Sequence, residues 1–149
     1  ATIYIADDGV FNENMATFIG DRGAMQFLIQ QFGKNSAVVR RYKETLDDIE
    51  LFSEYTVAYS KSINLLYNSL PADATIWPIM KQRSFTAYKN RLYLLPFNHK
   101  KRFQKLQESE LNNTFFTGFL MYHNQQDSIQ KLIKELHSGN IKEWVESLK

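Results

Sequence analysis

The chain has no cysteine. That absence excludes disulfides, thiolate zinc sites and a cysteine nucleophile together. Histidine is scarce as well. His99, His123 and His137 are the full set, and no two stand four residues apart as a metal-binding pair on one helix face requires. No apolar run approaches the roughly 18–20 residues that a membrane-crossing helix needs. Excess charge is small: the formal +2 at pH 7 gives no broad electrostatic case for nucleic acid. The 6 Gly and 3 Pro are not gathered into a linker or a low-complexity tract, and no internal repeat is present. What is there is 44% hydrophobic and 14% aromatic over 149 residues, the composition of a folded chain able to bury a core.

The apolar spacing is helical nearly throughout. Thr2-Ile3-Tyr4-Ile5-Ala6 is a short apolar run, strand or helix tail, ended by Asp7-Asp8-Gly9. From Asn12, Met15, Phe18 and Ile19 share a face, followed by Met25, Phe27, Leu28 and Phe32, with Gly33 as the stop. Gly20 and Gly23 each disfavour a helix by about 1 kcal/mol against Ala, which predicts two helices or one kinked helix. Ser36 can cap the next element. Tyr42, Leu46, Ile49, Phe52, Tyr55, Tyr59, Ile63, Leu66 and Leu70 recur at three- and four-residue intervals up to Pro71, which predicts one long helix over 36–70. Asp73 can cap a further helix with Pro78 near its start, ending at Pro96. Residues 97–111 read as a loop with a helical turn or more, and 112–123 as a helix buried on most sides. Asp127 caps Ser128 to His137, and Asn140 caps a last amphipathic helix with Ile141, Trp144, Val145 and Leu148. The expected fold is all-α, a multi-helix bundle of about six or seven helices built around the long one, as a single helical domain over 1–149.

One short pattern carries chemistry. In Phe11-Asn12-Glu13-Asn14-Met15-Ala16 a Glu stands early in a helix, anchored by apolar Met15, Phe18 and Ile19, while Ala16 leaves room for another helix to pack closely. Asn-Glu-x-x-Ala in this setting resembles the third-ligand segment of gluzincin metallopeptidases, where two His of a His-Glu-x-x-His helix hold a zinc ion together with one later Glu. A catalytic zinc has three protein ligands and an open position for water or substrate. The competing reading of Glu13 is a solvated carboxylate that complements the positive end of the helix dipole.

Three stretches extend the match. Ala1-Thr2-Ile3-Tyr4-Ile5 looks like the residues that follow a His-Glu-Leu-x-His segment. Phe11 to Gly20, then Gly23-Ala24 and Phe27-Leu28, is similar to a Phe-Asn-Glu block with its Gly-Ala-x-x-Phe-Leu. Glu110-Leu111-Asn112-Asn113 with Tyr122 resembles a later Asn-Asn…Tyr block. On these residues the chain resembles, over nearly its whole length, the "putative aminopeptidase" family of bacteria, a gluzincin-like group of zinc peptidases. The resemblance implies Glu13 as a zinc ligand and places Asn112, Asn113 and Tyr122 near the cleft or in support of it. It also implies a peptide substrate and a bacterial cell-envelope or periplasmic protein. The two His ligands and the Glu base do not occur in this sequence. The chain is therefore expected to be the C-terminal part of a larger metallopeptidase. Alone it is expected to hold no catalytic zinc and to be inactive, since one carboxylate does not replace three convergent ligands.

Other residues admit plainer duties. Asn112 and Asn113 can cap a helix and make a turn, or their amides can bind a peptide backbone or an oxyanion. Tyr122 can be a core phenol or an oxyanion donor, and His123 is a second, weaker candidate for the oxyanion role. Asp7-Asp8 can form a turn or bind a substrate amine. His137 near a helix end complements the dipole. His99-Lys100-Lys101-Arg102-Phe103-Gln104-Lys105 reads as a solvated basic surface, with phosphate contact as the alternative. The tyrosines of 42–67 are expected to pack in the core. A second functional class stays open beside the peptidase: a non-catalytic helical binding or scaffold protein.

Overall fold

The computed structural model describes residues 8–69, 74–123, 131, 135 and 140–147. Helices account for its regular structure: α1 (Gly9–Phe32), α2 (Ala37–Ser69), a 3₁₀ turn (Ala74–Ile76), α3 (Trp77–Leu94), a second 3₁₀ turn (Lys100–Phe103), α4 (Gln104–Glu108), α5 (Asn113–His123) and α6 (Ile141–Ser147). Among the described residues there is no strand, and the protein is all-α as its periodicity predicts.

Two compact units divide the chain: Ala1–Val39 with Met121–Lys149, and Arg40–Leu120. In the first, α1 starts three residues before Asn12. Asp8 explains this, because its Oδ1 accepts from Phe11 N at 2.9 Å and so satisfies a free amide of the first turn. The helix then runs through Gly20 and Gly23 to Phe32, so the two-helix alternative is wrong. Each glycine weakens the helix by about 1 kcal/mol but removes none of its hydrogen bonds, and that is not enough to end it. Gly33 does end it, at φ 82°, a backbone state in which a Cβ is strained. Asn140 caps α6 from both directions. Its Oδ1 accepts from Lys142 N at 3.1 Å, and its Nδ2 donates to Glu143 Oε1 at 2.7 Å.

Met15 of α1 and Trp144 of α6 form the buried pair of this unit, with Phe11, Phe18 and Ile19 packed around them. Trp144 is 1% exposed and meets Phe18 edge to face at 6.4 Å. Further along α1, Met25 and Leu28 are half-buried, while Phe27 and Phe32 are exposed rather than in the core as their spacing predicts.

The second unit holds the larger core: Ile63, Phe85, Tyr88, Leu92, Phe97, Phe103 and Phe116. Its backbone is α2 from Arg40 onward; the start of that helix, residues of the first unit, is capped by Ser36, which accepts from Val39 N at 3.3 Å. Leu51, Phe52, Tyr55, Tyr59 and Tyr67 of α2 pack against that core, as the tyrosine stripe predicts. The loop over 97–111 contains the 3₁₀ turn and α4, and Phe97 and Phe103 stack at 4.2 Å to anchor it. Asp48, buried on α2, holds the loop from the other side. Its two carboxylate oxygens accept from Asn98 N at 2.7 Å, Asn98 Nδ2 at 3.1 Å and His99 N at 2.8 Å. Thr2–Ala6, Leu70–Asp73 and the helix expected over 128–137 lie outside the described residues. The exceptions in that last stretch are helical Lys131 and Glu135, whose charged groups stand 3.8 Å apart.

Candidate functional site

Glu13 lies in the second turn of α1 and is exposed. At about 100° per residue, Phe11, Met15 and Phe18 point to one side of the helix, and Glu13 points to the other with Ala16, Thr17 and Gly20. The burial pattern agrees with that projection: Met15 is buried, Phe11 and Phe18 are half-buried, and Glu13, Ala16, Thr17, Gly20 and Gly23 are all exposed. A Cβ built on Gly20 or Gly23 would find nothing within 4 Å. Beside the carboxylate, then, runs a strip of helix surface with almost no side-chain relief. A second backbone could approach it closely.

Asn14 was not singled out by its residue type. It is fully buried, its Nδ2 donates to Val10 O at 2.8 Å, and its Oδ1 has no hydrogen-bond partner among the described residues. An unpaired buried acceptor costs about 1–3 kcal/mol. The available signal was its place in the periodicity, one step inward from Glu13. Asp8, weighed as a contact for a substrate amine, is occupied in capping α1; Asp7 lies outside the described residues.

Asn112 and Asn113 belong to the second unit and have local partners. Asn112 Oδ1 accepts from Phe115 N at 2.9 Å and caps α5. Asn113 Oδ1 accepts from the Tyr67 hydroxyl at 2.8 Å, and Tyr67 in turn stacks on Trp77 at 6.1 Å. Both asparagines are exposed. Tyr122 and His123 are helical residues at the end of α5, and their side chains lie outside the described residues, as does His137. His99 Nε2 is 3.4 Å from Glu44 Oε2, a loose pairing that does not reach hydrogen-bond alignment.

The phenols of the second unit are structural. Tyr88 donates to Thr56 Oγ1 at 2.8 Å, since that hydroxyl already donates to Phe52 O at 2.7 Å. Tyr55 donates to Tyr88 O at 3.1 Å, and Tyr59 donates to Ser84 O while Ser84 Oγ donates back at 2.7 Å. Burial pushes the Tyr55 phenol up to about 12, with Tyr59 adding to the rise and Arg91 opposing it. Tyr88 is raised as well, again chiefly by burial. These hydroxyls stay protonated at neutral pH and hold helices together; they are poor candidates for proton transfer.

Among the described residues no three of His, Cys, Asp and Glu converge on a point. Zinc at Glu13 would need its other ligands from elsewhere, and no reaction step can be derived from this carboxylate alone.

An all-α chain with an open carboxylate beside a strip of small residues on one helix is the class that fold and site define. The family model described as "Putative aminopeptidase" matches residues 1–149, and the chain belongs to that family. No curated protein and no solved structure matches it significantly.

Proposed function

We propose that this chain is the C-terminal helical part of a zinc-dependent aminopeptidase and supplies one zinc ligand, Glu13, to metal-assisted hydrolysis of a peptide bond near a free N-terminus. The observation that carries the reading is the bare face of α1. A metal ligand has to be free of other partners and reachable by a second ligand-bearing element. Glu13 is exposed, and Ala16, Thr17, Gly20 and Gly23 beside it leave the space for such an element. Family membership supports a peptidase-related role. The opposite face of α1, bound to Trp144, holds the helix in place while the carboxylate side stays open. In this reading Asn112 and Asn113 orient α5 and offer amide donors to a peptide, and Tyr122 is a candidate oxyanion donor.

Glu13→Gln in the full-length protein tests it. The substitution keeps size and helix compatibility but replaces an anionic oxygen ligand with a neutral amide, a poor zinc ligand. Zinc content and hydrolysis of aminoacyl chromogenic substrates should fall by orders of magnitude. Stability of the metal-free protein should change by only about 0.5 kcal/mol, as for an ordinary surface change. Undiminished activity would leave Glu13 as a solvated helix carboxylate, and the helical scaffold would become the better description.

A further inference from the structure

Charge is strongly segregated along this chain. Between Asp73 and Glu108 there are eight Lys and Arg (Lys81, Arg83, Lys89, Arg91, Lys100, Lys101, Arg102 and Lys105) and not one Asp or Glu; the other ten cations share the rest of the chain with all 16 carboxylates. The near-neutral total therefore conceals a basic segment, and that segment is α3 together with the turn after it. Arg83, Arg91, Lys100, Lys101, Arg102 and Lys105 are exposed, and none of them has a carboxylate within 4 Å among the described residues.

The same surface is apolar where it could have been polar. On the outward side of α3, Leu94 is 75% exposed, Tyr93 62% and Ile79 55%. Lys100 Nζ stands 5.7 Å from the centre of the Tyr93 ring, which ties the basic turn to the aromatic one. Beside them opens a cavity of about 370 Å³ with Leu92, Phe97 and Phe103 as its floor and Lys100 and Lys101 on its rim. Glu108, the one acid there, accepts from Gln104 Nε2 at 3.1 Å.

We propose that the outward face of α3 and the basic turn over 100–105 form a docking surface for an anionic lipid bilayer. The charge complements lipid phosphates, each nearby Lys or Arg strengthening attachment several-fold. A tyrosine and an exposed leucine among cations suit the headgroup and the acyl boundary beneath it. A polynucleotide would answer the charge but would leave Ile79 and Leu94 against water or sugar, with one aromatic ring to stack on. The inference does not depend on Glu13 or on zinc.

Co-sedimentation of the full chain with vesicles tests it, using phosphatidylcholine alone and phosphatidylcholine mixed equally with phosphatidylglycerol. Binding is expected to the mixed vesicles only. K100Q/K101Q/R102Q should weaken it by about a hundredfold. Leu94→Ser should weaken the salt-resistant part severalfold and leave binding to a duplex oligonucleotide unchanged. All these positions are exposed, and an unchanged helical circular dichroism spectrum checks that the variants fold. Equal binding to both vesicle types, full binding by the triple variant, indifference to Leu94→Ser, or tighter binding to the oligonucleotide than to the mixed vesicles would each overturn the proposal.

Discussion

Asp48, Thr56 and Ser60 in the second unit and Asn14 in the first are all buried polar residues, but they are treated differently. Asp48 accepts three hydrogen bonds, Thr56 makes two, and Ser60 Oγ donates to Thr56 O at 2.7 Å. Asn14 satisfies its NH₂ on Val10 and leaves its carbonyl oxygen without a partner. The hydrophobic contrast runs the same way. Among the described residues, the buried cluster of the second unit has seven members and that of the first has Met15 and Trp144. The second unit is not wholly closed either, since His99 Nε2 is buried there without a hydrogen bond among the described residues, 3.4 Å from Glu44 Oε2. What is particular to α1 is its exposed carboxylate side, flanked by Ala16, Thr17, Gly20 and Gly23, and that side is explained best by something that meets it, which is the role proposed for α1.

The comparison breaks most directly at Trp144. Trp144→Ala removes the largest side chain of the small core, and the expected loss is about 3–5 kcal/mol. If the two units have separate stabilities, amide exchange of α1 should speed up by orders of magnitude while α3 keeps its protection. Equal loss of protection in both helices would show that the division into units has no energetic meaning.

A smaller effect sharpens the other side. Tyr88→Phe leaves the ring packing intact and removes one hydrogen bond to Thr56, so urea denaturation at neutral pH should report a loss of about 1 kcal/mol. The alkaline limb is the more specific readout. Unfolded tyrosine loses its proton near pH 10, whereas folded Tyr55 keeps it to about 12 and Tyr88 is raised as well. Between those values the unfolded state binds fewer protons than the native one, so stability is complete below pH 10 and declines as pH rises. Tyr55→Phe and Tyr88→Phe should each flatten that decline. An unchanged alkaline slope in both would place it in other groups.

Sequence periodicity located α2, because its apolar positions repeat without interruption from Tyr42 and Ser36 is a good cap. It also located α3 and α5, and it anticipated helix within 97–111. It could not reveal Asp48 as the anchor of that loop, since the partners are 50 and 51 residues away and no local pattern encodes them. Around Glu13 the legible part was the motif and Ala16. Gly20 and Gly23 were legible as residues but misread as helix breakers, because propensity reports what glycine costs a helix and not why it is kept. Only the unbroken course of α1, with the burial pattern that agrees with it, places them on the same exposed side as the carboxylate. The free acceptor of Asn14 likewise needed coordinates, as asparagine at that spacing is equally consistent with a solvated position.

Those two glycines provide the finest test. Nothing in the described structure lies within 4 Å of a Cβ at Gly20, and the position is exposed and helical. In this chain Gly20→Ala should therefore stabilise α1 by about 0.5–1 kcal/mol, through better helix propensity and a less flexible unfolded state. A loss of stability would mean that the face is already covered and that the open-face argument is mistaken. If the proposed longer zinc peptidase is the parent of this chain, the same substitution in it should act in the opposite direction, because a methyl group would intrude where a ligand-bearing element is proposed to pack against α1. Gly20→Ala, and more so Gly20→Leu, should then lower zinc retention and turnover even though Glu13 is untouched. Gain in one setting with loss in the other is the outcome that ties the small residues to a partner. Gain in both would leave them as two unoptimised helix positions beside an ordinary surface glutamate.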